Sequence, residues 1–177
     1  MEKQLSFIEL RQNLEQYLQF IEQNRHPIIF IADQISIKQN IAALYRLADA
    51  ARIAHLYLYQ PKITDAAVKI RKVSRSTFDF VPSTIVEEIE DLKILKEKYE
   101  WIALEITNTS IPYYQLESKQ SIALIIGNEQ KGISQELLDL CDRSIHVPMM
   151  GRNTSMNVAM ATGIATFGLL EKMDRLT

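Results

Sequence analysis

The stretch VPMMGRNTSMNVAMATG, residues 147–163, sets a glycine and a run of polar residues between a short apolar segment and a long run of small apolar ones. A helix is expected over its second half, and Thr154 or Asn153 is the expected N-cap, because such side chains accept hydrogen bonds from the first free backbone N–H groups. One cap explains one polar residue. Ser155 and Asn157 then fall in the first turns, where their helix propensity is modest and the unpaired N–H groups can hold a carboxylate or phosphate. Whether the cluster only starts a helix or also holds a ligand stays open on these residues alone.

Outward from this stretch, β-rich runs alternate with helix-like segments. PIIFIAD, NIAALYRLADA, HLYLYQ, DAAVKIRKV, FDFVP, IVEEIEDLKILKEKY, WIALEIT, SIALIIG, ISQELLDLCD and SIHVPM lead into it. About six strands interleaved with helices predict an α/β fold with a mostly parallel sheet covered on both faces. Ahead of them Phe7, Leu10, Leu14, Tyr17, Leu18 and Ile21 recur at spacings of three and four, which predicts an amphipathic helix over about residues 5–24. The chain thus divides into a helical extension, residues 1–25, and one α/β domain, residues 26–177. A length of 177 residues with 47% hydrophobic content suits a single core.

All five glycines, Gly127, Gly132, Gly151, Gly163 and Gly168, lie in the last third. Gly127 and Gly151 each follow a predicted strand, and open parallel sheets bind ligands at the carboxyl ends of their strands. The site is expected there. The segment GNEQKGIS has the glycine spacing of a phosphate-binding loop, but Ile133 stands where a lysine must reach the phosphates, and no G-x-G-x-x-G follows the first strand. What remains is a turn with Asn128 and Glu129, then a helix capped by Ser134.

The net charge of −2 gives no global attraction for nucleic acid, although residues 62–75 gather Lys62, Lys69, Arg71, Lys72 and Arg75 against Asp65. That segment reads as a solvated helix face or as a phosphate contact. The one cysteine, Cys141, cannot form an intramolecular disulfide, and the longest apolar run, VAMATGIATFGLL, is shorter than the ~20 residues that span a bilayer. A soluble cytoplasmic protein is expected. His26, His55 and His146 are scattered without ligand spacing, so no metal is expected, and His146 reads as a strand residue.

In QNIAALYRLADA, Asn40 and Arg46 are six residues apart and so about 120° apart around a helix. An arginine among apolar neighbours is costly without a partner, and both Asp49 and a ligand phosphate are candidates.

Together NIAALYRLADA, IIGNEQKGIS and VPMMGRNTSMNVAMATGIATFGLLE resemble the three ordered motifs of the SpoU/TrmH branch of the SPOUT superfamily, RNA 2′-O-ribose methyltransferases, and VSRSTFDFVP resembles the segment between the first two. The resemblance covers most of residues 27–172 and makes residues 26–177 a methyltransferase domain. It implies catalytic roles for Asn40, Arg46, Glu129, Ser155 and Asn157, and S-adenosylmethionine held by loops at Gly127, Val147, Met149 and Met156 with Thr107 as a further wall. It also implies a tRNA or rRNA substrate, a homodimer through the final helix, and a deep C-terminal trefoil knot that general folding rules would not suggest.

Leu47 and Ala51-Arg52 depart from the family's first motif, and Ser76-Thr77 replace its usual glycine-alanine. A guanidinium stays protonated, so Arg46 is expected to clamp a phosphate rather than take a proton. A non-catalytic RNA-binding or assembly module of the same fold is the alternative; a nucleotide-binding enzyme using GNEQKGIS is disfavoured by Ile133.

Overall fold

A computed structural model describes residues 3–4, 14–63, 77–118 and 120–173. Residues 5–13 of the expected first helix lie outside these, as does all of DAAVKIRKV with its basic residues; α1 is described over Leu14–Gln23. The run HPIIFIAD forms β1 (His26–Asp33), buried along nearly its whole length, as a strand covered on both faces must be. After it come α2 (Lys38–Ala50), β2 (Ile53–Tyr59), α3 (Thr77–Phe80), β3 (Ser83–Val86), α4 (Ile89–Lys93) and β4 (Tyr99–Leu104). The last third adds β5 (Ile111–Pro112), β6 (Ser121–Ile126), α5 (Gln135–Leu138), β7 (Arg143–His146) and α6 (Val158–Lys172).

Among the described residues the sheet has seven strands in the order β3-β2-β1-β6-β4-β7-β5, with every pairing parallel. Six were expected. The extra strand is β5, whose two residues pair Ile111 with Ile145 and Pro112 with His146; so short an edge strand leaves no alternation to read. Two boundaries also move. FDFVP is not a strand: Thr77–Phe80 is a helical turn, and the strand begins beyond Pro82. The long helix expected in IVEEIEDLKILKEKY gives Ile85 and Val86 to β3 and is reduced to α4 followed by a 3₁₀ turn over Ile94–Glu97.

Side chains alternate across the sheet with the period of two that a strand imposes. Ile28, Phe30 and Ala32 of β1 join Ile122, Leu124 and Ile126 of β6 on the face covered by α2 and α6. Ile29 and Ile31 join Trp101, Ala103, Ala123 and Ile125 on the other face, with Leu92 of α4 and Leu137 of α5. Each fully buried Ile, Leu or Phe contributes about 1.5–3 kcal/mol of transfer free energy. That burial holds β1 and β6 rigidly side by side, and their carboxyl ends carry the site.

Helix α6 lies against α2 and the 3₁₀ turn Tyr113–Gln115. Small residues serve these contacts within the chain. A Cβ at Gly168 would come within 2.3 Å of the Tyr113 ring, Gly163 faces Leu47, and Ala165 is fully buried. On the outer side Met160, Ile164 and Phe167 form an i, i+4, i+7 stripe that is 63%, 40% and 42% exposed. Among the described residues no helix is long and apolar enough to cross a membrane.

Candidate functional site

The carboxyl ends of β1, β4, β6 and β7 and the start of α6 surround a pocket of about 450 Å³. The loop after β6 forms one wall. A Cβ at Gly127 would lie 2.4 Å from the backbone of Gly132 and Ile133, so only glycine lets the loop fold back on itself. Reciprocal bonds close it, Asn128 N–H to the Gly132 carbonyl at 2.9 Å and Gly132 N–H to the Asn128 carbonyl at 3.0 Å, with Gly132 at φ +70°. Asn128 also donates through Nδ2 to the Gln34 carbonyl at 2.7 Å, which ties the loop to the end of β1. The backbone N–H of Ser134 donates to the buried carboxylate of Asp33 at 2.6 Å, so Ser134 occupies the N-cap position without capping through its own side chain.

Across the pocket runs a chain of side chains from three separate parts of the sequence. Asn157 Nδ2 donates to Asn40 Oδ1 at 2.9 Å, and Asn40 Nδ2 donates to Glu129 Oε1 at 2.9 Å. Asn157, not Thr154 or Asn153, is the N-cap of α6: its Oδ1 accepts from Ala159 N at 3.0 Å and Met160 N at 3.2 Å. The helix starts three residues later than its polar lead-in suggested. One side chain therefore fixes both the helix start and Asn40.

Glu129 is saturated. Its Oε1 accepts from Ile37 N and Asn40 Nδ2, and its Oε2 from Ser36 N, Ser36 Oγ and Asn128 Nδ2. A carboxylate offers about four lone-pair sites, and five donors converge on them. Burial pushes the carboxyl pKa up, but the hydrogen bonds from Asn40, Ser36 and Ile37 outweigh it and hold Glu129 below the usual carboxylate range. An ionised carboxylate without a spare lone pair orients its neighbours and takes no proton at neutral pH.

Asn40, Gly127, Glu129, Val147, Met149, Ser155, Met156 and Asn157 all line the pocket. Thr107 does not. Its Oγ1 bonds Ser144 Oγ at 2.7 Å beside a smaller cavity, and Leu104, Glu105 and Ile106 form the wall at the end of β4. Arg46 also stands apart, exposed on α2, with no ion pair to Asp49. Its exposure removes the desolvation problem that the sequence posed. Gly151 sits in open space, where neither packing nor φ requires glycine.

Two polar pocket residues, Glu105 and His146, and one partner of Glu129 outside the lining, Ser36, were not singled out from the sequence as site members. Ser36 escaped because it bonds Glu129 across the fold. Glu105 looked like an ordinary strand end, and His146, taken as a strand residue, does end β7 but also faces the pocket, its Nδ1 2.9 Å from Ser110 Oγ. Among the described residues no group of His, Cys, Asp or Glu could hold a metal ion. Cys141 bonds the Leu137 carbonyl at 3.3 Å, and burial pushes its thiol up to about 12.

A parallel α/β sheet with a loop-walled pocket at its strand ends defines a ligand-binding protein of the open-sheet class. More narrowly, the chain belongs to the SpoU rRNA Methylase family, which it matches over residues 27–167. It is 24% identical over 168 residues to the tRNA (guanosine(18)-2′-O)-methyltransferase of Aquifex aeolicus, covering 92% of this chain and 78% of that protein. It is 29% identical over 142 residues to the 23S rRNA (guanosine-2′-O-)-methyltransferase RlmB of Blochmanniella floridana, covering 80% of this chain but 56% of the relative. The crystal structure of the A. aeolicus TrmH/SpoU tRNA modifying enzyme has the same fold, with a TM-score of 0.76 at 24% identity over 92% of this chain and 85% of that one. So does the SpoU methyltransferase AviRb from Streptomyces viridochromogenes in complex with the cofactor AdoMet, with a TM-score of 0.73 at 21% identity over 81% of this chain and 59% of that one.

Proposed function

We propose that this protein is an S-adenosylmethionine-dependent methyltransferase acting on a ribose 2′-hydroxyl of tRNA or rRNA. The observation that carries the reading is the pocket itself. Among the described residues its lining holds Glu105 and Glu129 and no lysine or arginine, which suits a ligand bearing a sulfonium and an ammonium and opposes a polyphosphate. Its volume, about 450 Å³, lies in the range of small-ligand sites. The names of the relatives support the substrate class.

Bound there, S-adenosylmethionine would supply an electrophilic methyl group. Residues of the loops at Gly127, Val147, Met149 and Met156 would hold it, with the apolar Leu104 and Ile106 alongside. Asn40, locked between Glu129 and Asn157, keeps this wall of the pocket in one arrangement, and Ser155, which also lines the pocket, would offer a hydroxyl to the ribose. Positioning of this kind supplies much of the rate in a displacement that needs an in-line approach. The saturated Glu129 leaves the 2′-hydroxyl proton to another acceptor, and an RNA phosphate held by Arg46 fills that role.

The same reading makes the protein a homodimer. Arg46 is outside its own pocket, one residue before Leu47, where α2 meets α6, and the exposed stripe Met160, Ile164 and Phe167 lies on that helix. A second copy covering the stripe brings an arginine to the neighbouring pocket. The reading also includes a threaded C-terminal segment, a helical extension over residues 1–25 and a cytoplasmic protein; the family match beginning at residue 27 supports the division.

The test is ligand-dependent melting combined with methyl transfer. S-Adenosylhomocysteine at a hundredfold excess over its Kd stabilises by about 2.7 kcal/mol, which raises Tm by about 5–11 °C, while ATP gives no shift. Absence of any shift at millimolar concentration removes the enzyme reading. Cofactor binding without 2′-O-methylation of RNA from a strain lacking the gene leaves the non-catalytic module.

A further inference from the structure

Among the described residues, Glu105 is the one pocket carboxylate that the orienting chain does not use, and its surroundings hold it in place. Its Oε1 accepts from Ile106 N at 2.9 Å and its Oε2 from Ile133 N at 3.2 Å, so the side chain bridges the end of β4 and the loop after β6. That loop makes room for it: a Cβ at Gly132 would lie 2.5 Å from Oε2. Two backbone donors occupy about half of the four acceptor positions of a carboxylate. Two acceptor positions remain on a residue that lines the pocket, as do its apolar chain neighbours Leu104 and Ile106.

A fixed acceptor pair flanked by apolar side chains has the chemistry of a nucleoside subsite, because a vicinal diol presents two hydroxyl donors to a carboxylate while the base packs on apolar surface. The same pairing of acidic residue and ribose recurs at strand ends of dinucleotide-binding sheets. Glu129, at the other carboxylate position, has no lone pair to spare. We propose that Glu105 is the specificity-determining residue for the ribose of the cofactor, its carboxylate accepting hydrogen bonds from the 2′- and 3′-hydroxyls. The proposal rests on the S-adenosylmethionine reading above and adds to it the residue that separates a ribonucleoside ligand from its deoxy counterparts.

The experiment is calorimetric binding to the whole protein, with no activity readout. The ligands are S-adenosylhomocysteine, 5′-methylthioadenosine, which lacks the amino-acid tail, and the 2′-deoxy and 3′-deoxy forms of the latter. Wild type is expected to bind 5′-methylthioadenosine about tenfold or more tightly than either deoxy form, the scale of a hydrogen bond to a charged group. Glu105→Gln should weaken the parent by a similar factor and bind parent and deoxy forms within about twofold of each other. Glu105→Asp, which keeps the charge, should recover part of the discrimination.

Undiminished discrimination in Glu105→Gln, even with weaker binding overall, assigns the residue to holding the loop and overturns the proposal. Loss of affinity for S-adenosylhomocysteine alone, with 5′-methylthioadenosine unaffected, assigns it to the ammonium and also overturns it. If Glu105→Gln fails to fold, the wild-type comparison decides: equal affinity for ribo and deoxy ligands overturns the proposal. Failure of wild type to bind S-adenosylhomocysteine removes the cofactor reading itself, a result distinct from all of these.

Discussion

Asn157 carries two separable tasks, and substituting it in two ways should divide them. Its Oδ1 caps α6 through the N–H groups of Ala159 and Met160, and its Nδ2 holds Asn40. Loss of an N-cap costs about 1 kcal/mol, within a range of about 0.5–2. Loss of the donor to Asn40 costs about another 1 kcal/mol, the net worth of a side-chain hydrogen bond. Asn157→Ala should therefore destabilise by about 2 kcal/mol and lower Tm by about 4–8 °C. Asn157→Ser keeps a capping oxygen but cannot reach Asn40, so it should lose only about half as much. Both variants leave Asn40 held by Glu129 alone, and methyl transfer by each should fall by about 10² or more, as for a lost positioning contact.

Urea unfolding of the three proteins, with single-turnover methylation of RNA by each, measures both effects. If Asn157→Ala is as stable as wild type, the cap assignment is wrong. If Asn157→Ser retains full turnover, the Asn157–Asn40–Glu129 chain has no part in positioning.

Arg46→Ala should lower methyl transfer by about 10² or more while changing stability by less than about 0.5 kcal/mol, because the side chain is exposed. Mixing it with Asn157→Ala should restore up to about a quarter of wild-type activity if each pocket takes its arginine from the second copy; no recovery in exchanged mixtures refutes that arrangement. Ile164→Glu, on the exposed stripe of α6, should give a 20.4 kDa monomer by sedimentation where wild type sediments as a dimer. A wild-type monomer that methylates RNA would refute the use of this face. Glu129 titrates below its unfolded value, so the folded state binds fewer protons in that window. Its stabilisation is full above the unfolded pKa and is lost as pH falls through the depressed folded value. The stability gap between wild type and Glu129→Gln should shrink as unfolding is measured from pH 6 downward through the carboxylate range, and a constant gap would contradict the assignment.

Sequence periodicity alone revealed the buried strands, because a strand covered on both faces must be apolar along its length, as PIIFIAD and SIALIIG are. Asn40, Glu129, Ser155 and Asn157 came from the resemblance of three motifs to the family rather than from periodicity, and uneven glycine use pointed to the loop after β6. Only the tertiary structure decided which of these meet. Asn40 bonds Glu129 across 89 residues of sequence and Asn157 across 117, because the order of strands in the sheet, which no local pattern encodes, brings the ends of β1, β6 and β7 together. The cap of α6 moved from Thr154 or Asn153 to Asn157 because Asn40 is within its reach, a partner invisible to a local propensity. Arg46 left the pocket for the same kind of reason. Its helix turns by about 100° per residue, so burying Asn40 beside Glu129 directs Arg46 outward, to a surface whose role depends on what packs against it.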